Sequence, residues 1–343
     1  MTGHLRPFFA VESTPRLERS YLLKHRFQVP IVRADGVALG RPDALPHPPS
    51  GDAMSAVFAA PARPDSAESS SSRTEAEFSF GQADFERVRK LIYQRAGISL
   101  HAGKQAMVYS RLSRRLRETG ERSFSSYLQA LEQGSGAAAD QEWQEFINCL
   151  TTNLTAFFRE EHHFVALADD LRGRHGGNVR IWCNAASTGE EPYTLAMTVA
   201  EVLGTSGAKI VASDIDTQVL ATAARGIYPV DARGLTPERQ RRHFLRGKGD
   251  NSGLMRIKPE LAKMIEFRNH NLMTPRWSMG DPFDIVFCRN VMIYFDPPTQ
   301  RAVLERIHAV MKPNSLLYVG HSENFSESRD LFRLRGKTIY ERV

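Results

Sequence analysis

From Val179 to the C-terminus the chain keeps changing period, and that change is the strongest constraint on its fold. Short β-rich runs (VRIWCNA, AKIVASDI, IEFRNHNL, FDIVFCRN, SLLYVGH and TIYERV) are mostly separated by helical stretches. Alternating strands and helices predict an α/β fold, a mainly parallel sheet with helices on both faces, over residues 179–343. Between the second and third runs, RRHFLRGKGDNSGLMRIKPELAKMIEF carries glycines and short apolar runs. It predicts a small antiparallel β insertion over about residues 230–268.

Upstream of Val179 the period is helical. Asp84 is a candidate N-cap for DFERVRKLIYQRAG, with Phe85, Val88, Leu91 and Ile92 on one face and Gly97 at the stop. In KQAMVYSRLSRRLRETG, Val108, Leu112 and Leu116 recur at helical spacing. SFSSYLQALEQ reads as a third helix, and DQEWQEFINCLTTN as a fourth, with Trp143, Phe146, Ile147 and Leu150 in phase. These predict an all-α unit over residues 81–150, then a linker helix region over 151–178. Residues 1–80 differ: PDALPHPPSGD and APARPDSAESSSSRTEAE have no apolar period and are expected to be largely disordered. RSYLLKHRFQVPIVRADG has room for a short strand or helix, and Met54 is an alternative start.

A length of 343 residues suits two domains, or one large domain and a tail. The net charge of +6 favours anionic partners but does not choose among nucleic acid, membrane surfaces and acidic protein faces. Cys149, Cys183 and Cys288 lie far apart without CxxC spacing, so neither a disulfide framework nor a structural zinc site is expected. No apolar run reaches the roughly 18 residues of a membrane helix. The N-terminus lacks the apolar core of a secretory signal. A cytoplasmic protein is expected.

In open α/β sheets, ligands gather at the carboxyl ends of strands, where the strand order reverses. The turn after the first run is AASTGEE. A dinucleotide fingerprint uses several glycines to bring backbone N–H groups to a pyrophosphate; here there is one, and Glu190 and Glu191 repel a phosphate. Carboxylates at that mouth suit a ligand with positive charge. S-adenosylmethionine carries a sulfonium and an α-ammonium, and no phosphate. Glu190 also has a plainer reading as favourable charge at a helix N-terminus. Asp214 ends the second run, where an acid grips ribose hydroxyls in nucleotide-binding α/β folds, and Asp216 is the neighbouring alternative. Arg289 and Asn290 fall at the carboxyl end of FDIVFCRN, with Tyr294 close behind.

Three further features bear on the site. Asp296-Pro297-Pro298 resembles the DPPY-type motif of nucleic-acid amino-methyltransferases, but it comes late after its strand and Thr299 follows; it reads as a helix start. For His162–His163, adjacent helix positions point different ways and no HExxH is present, so no metal is expected. His321 either borders the site or caps a following helix with Ser322.

LTTNLTAFFREEHHF, RIWCNAASTGEEPYTLAM, VASDID, FDIVFCRNVMIYF and GHSENF together closely resemble the chemotaxis receptor methyltransferases, the CheR family, from Asp84 to the C-terminus. The resemblance implies an all-α N-terminal domain and a Rossmann-like methyltransferase sheet with a small antiparallel β subdomain. It implies methyl transfer from S-adenosylmethionine to glutamate side chains of chemoreceptors, leaving S-adenosylhomocysteine. It implies that Asn153, Thr155 and Arg159 line the cofactor site, Glu190 holds the methionine end and Asp214 the ribose. Asn271 and Leu272 then flank the adenine, Arg289 and Asn290 lie nearby, and Arg159 and Tyr294 stand near the transferable methyl. Receptor docking falls to Arg111, Arg114 and Arg117 on the basic helix, where a solvated charged face is the plainer reading. A receptor's C-terminal tail is a candidate for strand addition at the β insertion. A monomer recruited to membrane receptor arrays is expected, without membrane insertion or nucleic acid.

A glutamate side chain, with a pKa near about 4.3, is already ionised at neutral pH and attacks without a general base. The protein's task is then orientation, which assigns Arg159 and Tyr294 to positioning. Two rivals remain: a nucleic-acid methyltransferase, which needs a base-flipping pocket with stacking aromatics, and a non-catalytic module that senses S-adenosylmethionine.

Overall fold

The computed structural model describes residues 77–174 and 178–343. The expectation of a disordered tail therefore lies, up to residue 76, outside the described residues. Four helices come first: α1 (Gln82–Ala96), α2 (Gln105–Thr119), α3 (Phe124–Gln133) and α4 (Ala137–Leu150). Their apolar stripes meet in one core that includes Phe85, Val88, Leu112, Leu116, Phe124 and Phe146. α1 begins three residues earlier than Asp84 as N-cap requires. Gly81 precedes the first turn, and Asp84, inside it, accepts the Gly81 N–H at 3.1 Å. An acid satisfies a free donor from either position, so the residue type alone does not set the boundary. Gly97 does end the helix, in the left-handed region at φ 70°, with its N–H on the Tyr93 carbonyl.

α5 (His162–Gly173) occupies the linker region and leads into β1 (Val179–Cys183). There follow α6 (Glu190–Leu203), β2 (Ala208–Asp214), α7 (Thr217–Arg225), β3 (Ile227–Pro229), α8 (Pro237–His243), β4 (Phe244–Arg246) and β5 (Leu254–Ile257). Then come α9 (Pro259–Ala262), β6 (Ile265–Asn269), β7 (Phe283–Cys288), α10 (Pro297–Ala309), β8 (Met311–Val319), β9 (Phe332–Gly336) and β10 (Ile339–Arg342). Asp296 accepts the Thr299 N–H at 3.0 Å and Pro297 opens α10, so the Asp-Pro-Pro run is a helix start.

A seven-stranded sheet has the order β6-β2-β1-β7-β8-β10-β9. The strands from β6 to β8 are parallel, and β10 runs antiparallel to both of its neighbours. Alternate side chains feed two cores. Ile181, Cys183, Ile285 and Phe287 pack with Leu167 of α5 and Leu195 of α6. Trp182, Val286 and Cys288 pack with Val303 and Ile307 of α10. Burial on both faces is why these strands read as near-continuous apolar runs.

The β insertion is a three-stranded antiparallel sheet, β3-β5-β4. Its bounds differ from expectation. It opens at Ile227, and Ile265–Asn269, which overlaps the expected end of the insertion and is also the third β-rich run, pairs in parallel with β2 in the large sheet. A half-buried alternating run serves either sheet, and only pairing decides between them. The chain steps outward through β1, β2 and β6, then returns to β7 and β8 on the other side of β1. The order thus reverses between β1 and β7, where a crevice forms.

Candidate active site

A cavity of about 320 Å³ opens at the carboxyl ends of β1, β2, β6 and β7, and the helical domain closes it with Leu100, Lys104 and Met107. That volume is at the lower end of what small-molecule sites occupy. Asn153, Thr155, Arg159, Asp214, Asn271, Leu272, Arg289, Asn290 and Tyr294 all line it. Glu190 does not, and this corrects the sequence reading: the carboxylate facing the crevice belongs to Glu191.

The TGEE turn explains the exchange. Gly189 sits at φ 101°, and a Cβ there would stand 2.6 Å from the Tyr228 hydroxyl. The chain therefore enters α6 with Glu190 turned toward the β subdomain. Glu190 accepts the Thr188 hydroxyl at 2.7 Å, and burial raises its pKa. Glu191 accepts Arg289 Nη1 at 2.7 Å and the Cys183 thiol at 3.2 Å.

The two aspartates also separate by role. Asp214 lines the cavity and accepts the N–H groups of Ser187 at 2.8 Å and Asp216 at 3.0 Å. Burial pushes its pKa up to about 6. Asp216 caps α7 through the N–H groups of Gln218 and Val219. Its other oxygen accepts Thr151 Oγ1 at 2.6 Å and Asn153 Nδ2 at 2.8 Å. Asp216 therefore positions the linker, and Asp214 faces the cavity. Asn271 ties the crevice to the helical domain by donating to the Arg95 carbonyl at 2.7 Å.

Arg289 has a fully buried side chain. Besides Glu191, it donates from Nη2 to the Arg159 carbonyl at 2.5 Å and stands 3.4 Å from Glu160. Phe158 and Glu160, on either side of Arg159, adopt left-handed φ values of 51° and 58°. Ser187 and Asn290 do so as well, at 48° and 59°. Non-glycine residues held in this region cost energy; Ser187 and Asn290 line the cavity, and Phe158 and Glu160 flank Arg159 on its wall.

Sequence reasoning missed two residues. Asn184 follows β1, lines the cavity and is buried, yet neither its amide nitrogen nor its oxygen has a partner among the described residues. A strand-end position in the β1 run was the available signal. Glu323 in GHSENF lies just outside the cavity. Its carboxylate accepts four N–H groups, from Asn290 at 2.9 Å, Val291 at 3.0 Å, Met292 at 2.8 Å and Gly320 at 2.6 Å. It clamps the turn that carries Asn290. His321 caps no helix, since turns follow it, and its Nδ1 sits 3.1 Å from Glu160. Cys183 and Cys288 are buried and their thiols are pushed up by that burial, which leaves them inert.

On α2 the arginines divide. Arg111 donates to the carbonyl of Thr151 at 2.6 Å and approaches that of Cys149 at 3.4 Å, so it closes the end of α4. Arg114 and Arg117 are exposed and paired with Glu118 and Glu77.

The cavity suits S-adenosylmethionine. The carboxylates of Glu191 and Asp214 match cationic and hydroxyl groups, the unpartnered amide of Asn184 offers a donor and an acceptor, and Leu272 and Ile98 supply apolar wall. A doubly wound sheet with acids in place of a glycine-rich phosphate loop at its switch point defines the class of S-adenosylmethionine-dependent methyltransferases. The family described as CheR methyltransferase, all-alpha domain, matches residues 83–151. The CheR methyltransferase, SAM binding domain, matches residues 153–340. A chemotaxis protein methyltransferase of Klebsiella aerogenes is 54% identical over 262 residues, 75% of this chain and 89% of that protein. The Escherichia coli protein of the same name is 52% identical over 75% of this chain and 90% of its own length. Chemotaxis protein methyltransferase 2 of Pseudomonas aeruginosa is 49% identical over 77% of this chain and 94% of its own. The chain belongs to the CheR methyltransferase family, and S-adenosylmethionine is its cofactor.

Proposed function

We propose that the chain transfers a methyl group from S-adenosylmethionine to glutamate side-chain carboxylates of chemoreceptors, giving methyl esters and S-adenosylhomocysteine for sensory adaptation. The observation that carries this reading is a cavity with acids in its depth and Arg159 on its wall. An ionised carboxylate needs no base, so a site for it needs a cation that orients and an electrophile held in line. When bound, S-adenosylmethionine supplies that electrophile as a methyl on a sulfonium.

The chain's own residues do the rest. Glu191, steadied by Arg289, holds positive charge at the methionine end. Asp214, kept in place by two backbone N–H groups, holds the ribose. Asn153 and Thr155 line the linker side, Asn271 and Leu272 the adenine side, with Asn290 beside them. Arg159 donates from Nη1 to the Leu154 carbonyl at 2.9 Å, which leaves other donors of its guanidinium for the incoming carboxylate. Tyr294 shares that wall as a positioning residue. Leu154 and Ile293 line the cavity and are exposed, an apolar lip suited to a packed helical partner.

The receptor's helical bundle docks on α2 through Arg114 and Arg117, with Arg111 fixing the linker beneath. The outer strands of the small sheet, β3 and β4, suit strand addition by a receptor's C-terminal tail. No described helix is long and apolar enough to cross a membrane. The reading is of a cytoplasmic monomer recruited to receptor arrays, with no nucleic-acid partner.

The test incubates the chain with methyl-labelled S-adenosylmethionine and membranes carrying chemoreceptors from the same organism. Label on the receptor, released as methanol by mild base and lost in Asp214→Ala, is the expected result. No label, with S-adenosylhomocysteine still bound, would favour a sensing module. Label on nucleic acid would overturn the receptor reading.

A further inference from the structure

His163 is buried at the start of α5, and its Nε2 lies 2.9 Å from the Lys337 carbonyl and 3.0 Å from the Thr338 hydroxyl. A carbonyl only accepts, so Nε2 carries the proton. That leaves Nδ1, which faces Glu160 Oε2 at 3.6 Å. Both atoms are buried, and neither has a hydrogen-bond partner among the described residues. With its proton on Nε2, the neutral ring presents a lone pair at Nδ1. Two acceptors thus face each other with no donor between them; Arg289 Nη2, 3.4 Å from Oε2, offsets the carboxylate's charge from one side and leaves Nδ1 bare.

The exposed His162 completes the cluster. One ligand atom from each of Glu160, His162 and His163 lies within 4.8 Å of the other two. Neighbouring residues on a helix diverge by about 100°. That divergence governs Cβ directions and not ring positions: the two rings stand 4.2 Å apart. We propose that Glu160, His162 and His163 form a binding site for one divalent transition-metal ion, with Zn²⁺ the best match.

One pair of ligand atoms already stands at the spacing such an ion demands, and the exposed His162 is free to turn toward it. With Zn–N and Zn–O bonds of about 2.0–2.2 Å, two ligands of a tetrahedral zinc stand roughly 3.3–3.6 Å apart. The Nδ1-to-Oε2 separation of 3.6 Å meets this. A neutral imidazole whose other nitrogen donates to a carbonyl is the form that ligates metal. His321, 3.1 Å from the other Glu160 oxygen, steadies the carboxylate from the second shell. Arg289 is the opposing charge, 3.4 Å from Oε2, but it keeps Glu191 and the Arg159 carbonyl when Glu160 turns to the ion. Three protein ligands leave the fourth position to water.

The test titrates the metal-free full chain with Zn²⁺ by calorimetry. A one-to-one isotherm is expected, weakened at least about tenfold in His162→Ala and in Glu160→Gln, and unchanged in His308→Ala on α10. His162 is exposed, so its variant should keep the wild-type melting temperature and S-adenosylhomocysteine affinity. Absence of a saturable isotherm overturns the proposal, as does equal affinity in the wild type and both ligand variants. Calorimetry needs no methyl transfer, so either result stands apart from the receptor reading.

Discussion

Glu323→Gln perturbs the site without changing the identity of any cavity-lining residue. One Glu323 oxygen accepts the N–H groups of Asn290 and Gly320, and the other those of Val291 and Met292. A glutamine amide keeps one acceptor oxygen and turns an NH₂ toward the remaining two donors. Two hydrogen bonds to a charged acceptor are lost, at about 1.5–3 kcal/mol each. Against this, burial raises the Glu323 pKa despite its four donors, and the neutral amide escapes that desolvation cost. The net expectation is a loss of about 2–4 kcal/mol in unfolding free energy. Urea unfolding of the full chain, followed by tryptophan fluorescence, measures it. S-adenosylhomocysteine affinity should fall as well, because Asn290 holds its left-handed φ of 59° only while the clamp is intact. A loss below about 1 kcal/mol with unchanged affinity would refute the reasoning.

Glu191→Gln should weaken S-adenosylhomocysteine about tenfold by calorimetry, whereas Glu190→Gln should stay within about twofold, since only the first faces the cavity. Asp214, raised to about 6, binds its proton more readily folded than unfolded. Its contribution to stability is therefore fully present below its unfolded pKa of about 3.9 and lost as pH rises through its folded pKa. Ribose binding by the ionised form runs the other way: ligand affinity should hold above that folded pKa and fall by up to about tenfold per pH unit below it. Asp214→Asn should flatten this profile. Arg111→Ala should cost about 1–2 kcal/mol of stability by thermal unfolding. Arg117→Ala should stay within about 0.5 kcal/mol of wild type while lowering receptor methylation.

The fold was legible where period alone decides. The α2 stripe of Val108, Leu112 and Leu116 and the buried strands around Ile181 and Ile285 follow directly from spacing and apolarity. What spacing cannot carry is pairing partner and rotation. IEFRN is the same alternating run in either sheet, so only its contact with β2 assigns it. Glu190 and Glu191 are chemically alike, and the left-handed turn at Gly189 decides which one looks into the crevice. Arg111 looks like its surface neighbours in sequence and differs only because the end of α4 passes beneath it. Glu323 was invisible because its partners are backbone N–H groups, which leave no trace in residue identity.

The helical domain grips the sheet on both sides of the crevice. On one side Tyr93 donates to Asp296 at 2.8 Å, Ser99 to the Tyr294 carbonyl at 2.8 Å and Asn271 to the Arg95 carbonyl at 2.7 Å. On the other, Gln144 and Asn148 of α4 reach Ile215 and Thr217 at 2.8 and 3.1 Å. With Arg111 pinning α2 to the linker, these contacts make the two domains the jaws of a caliper. On the proposed docking, a receptor helix seated against α2 would meet the crevice at a set offset along its length. Targets would then be selected by how many helical turns, of about 5.4 Å each, separate an anchoring acid from the glutamate that reaches the cavity.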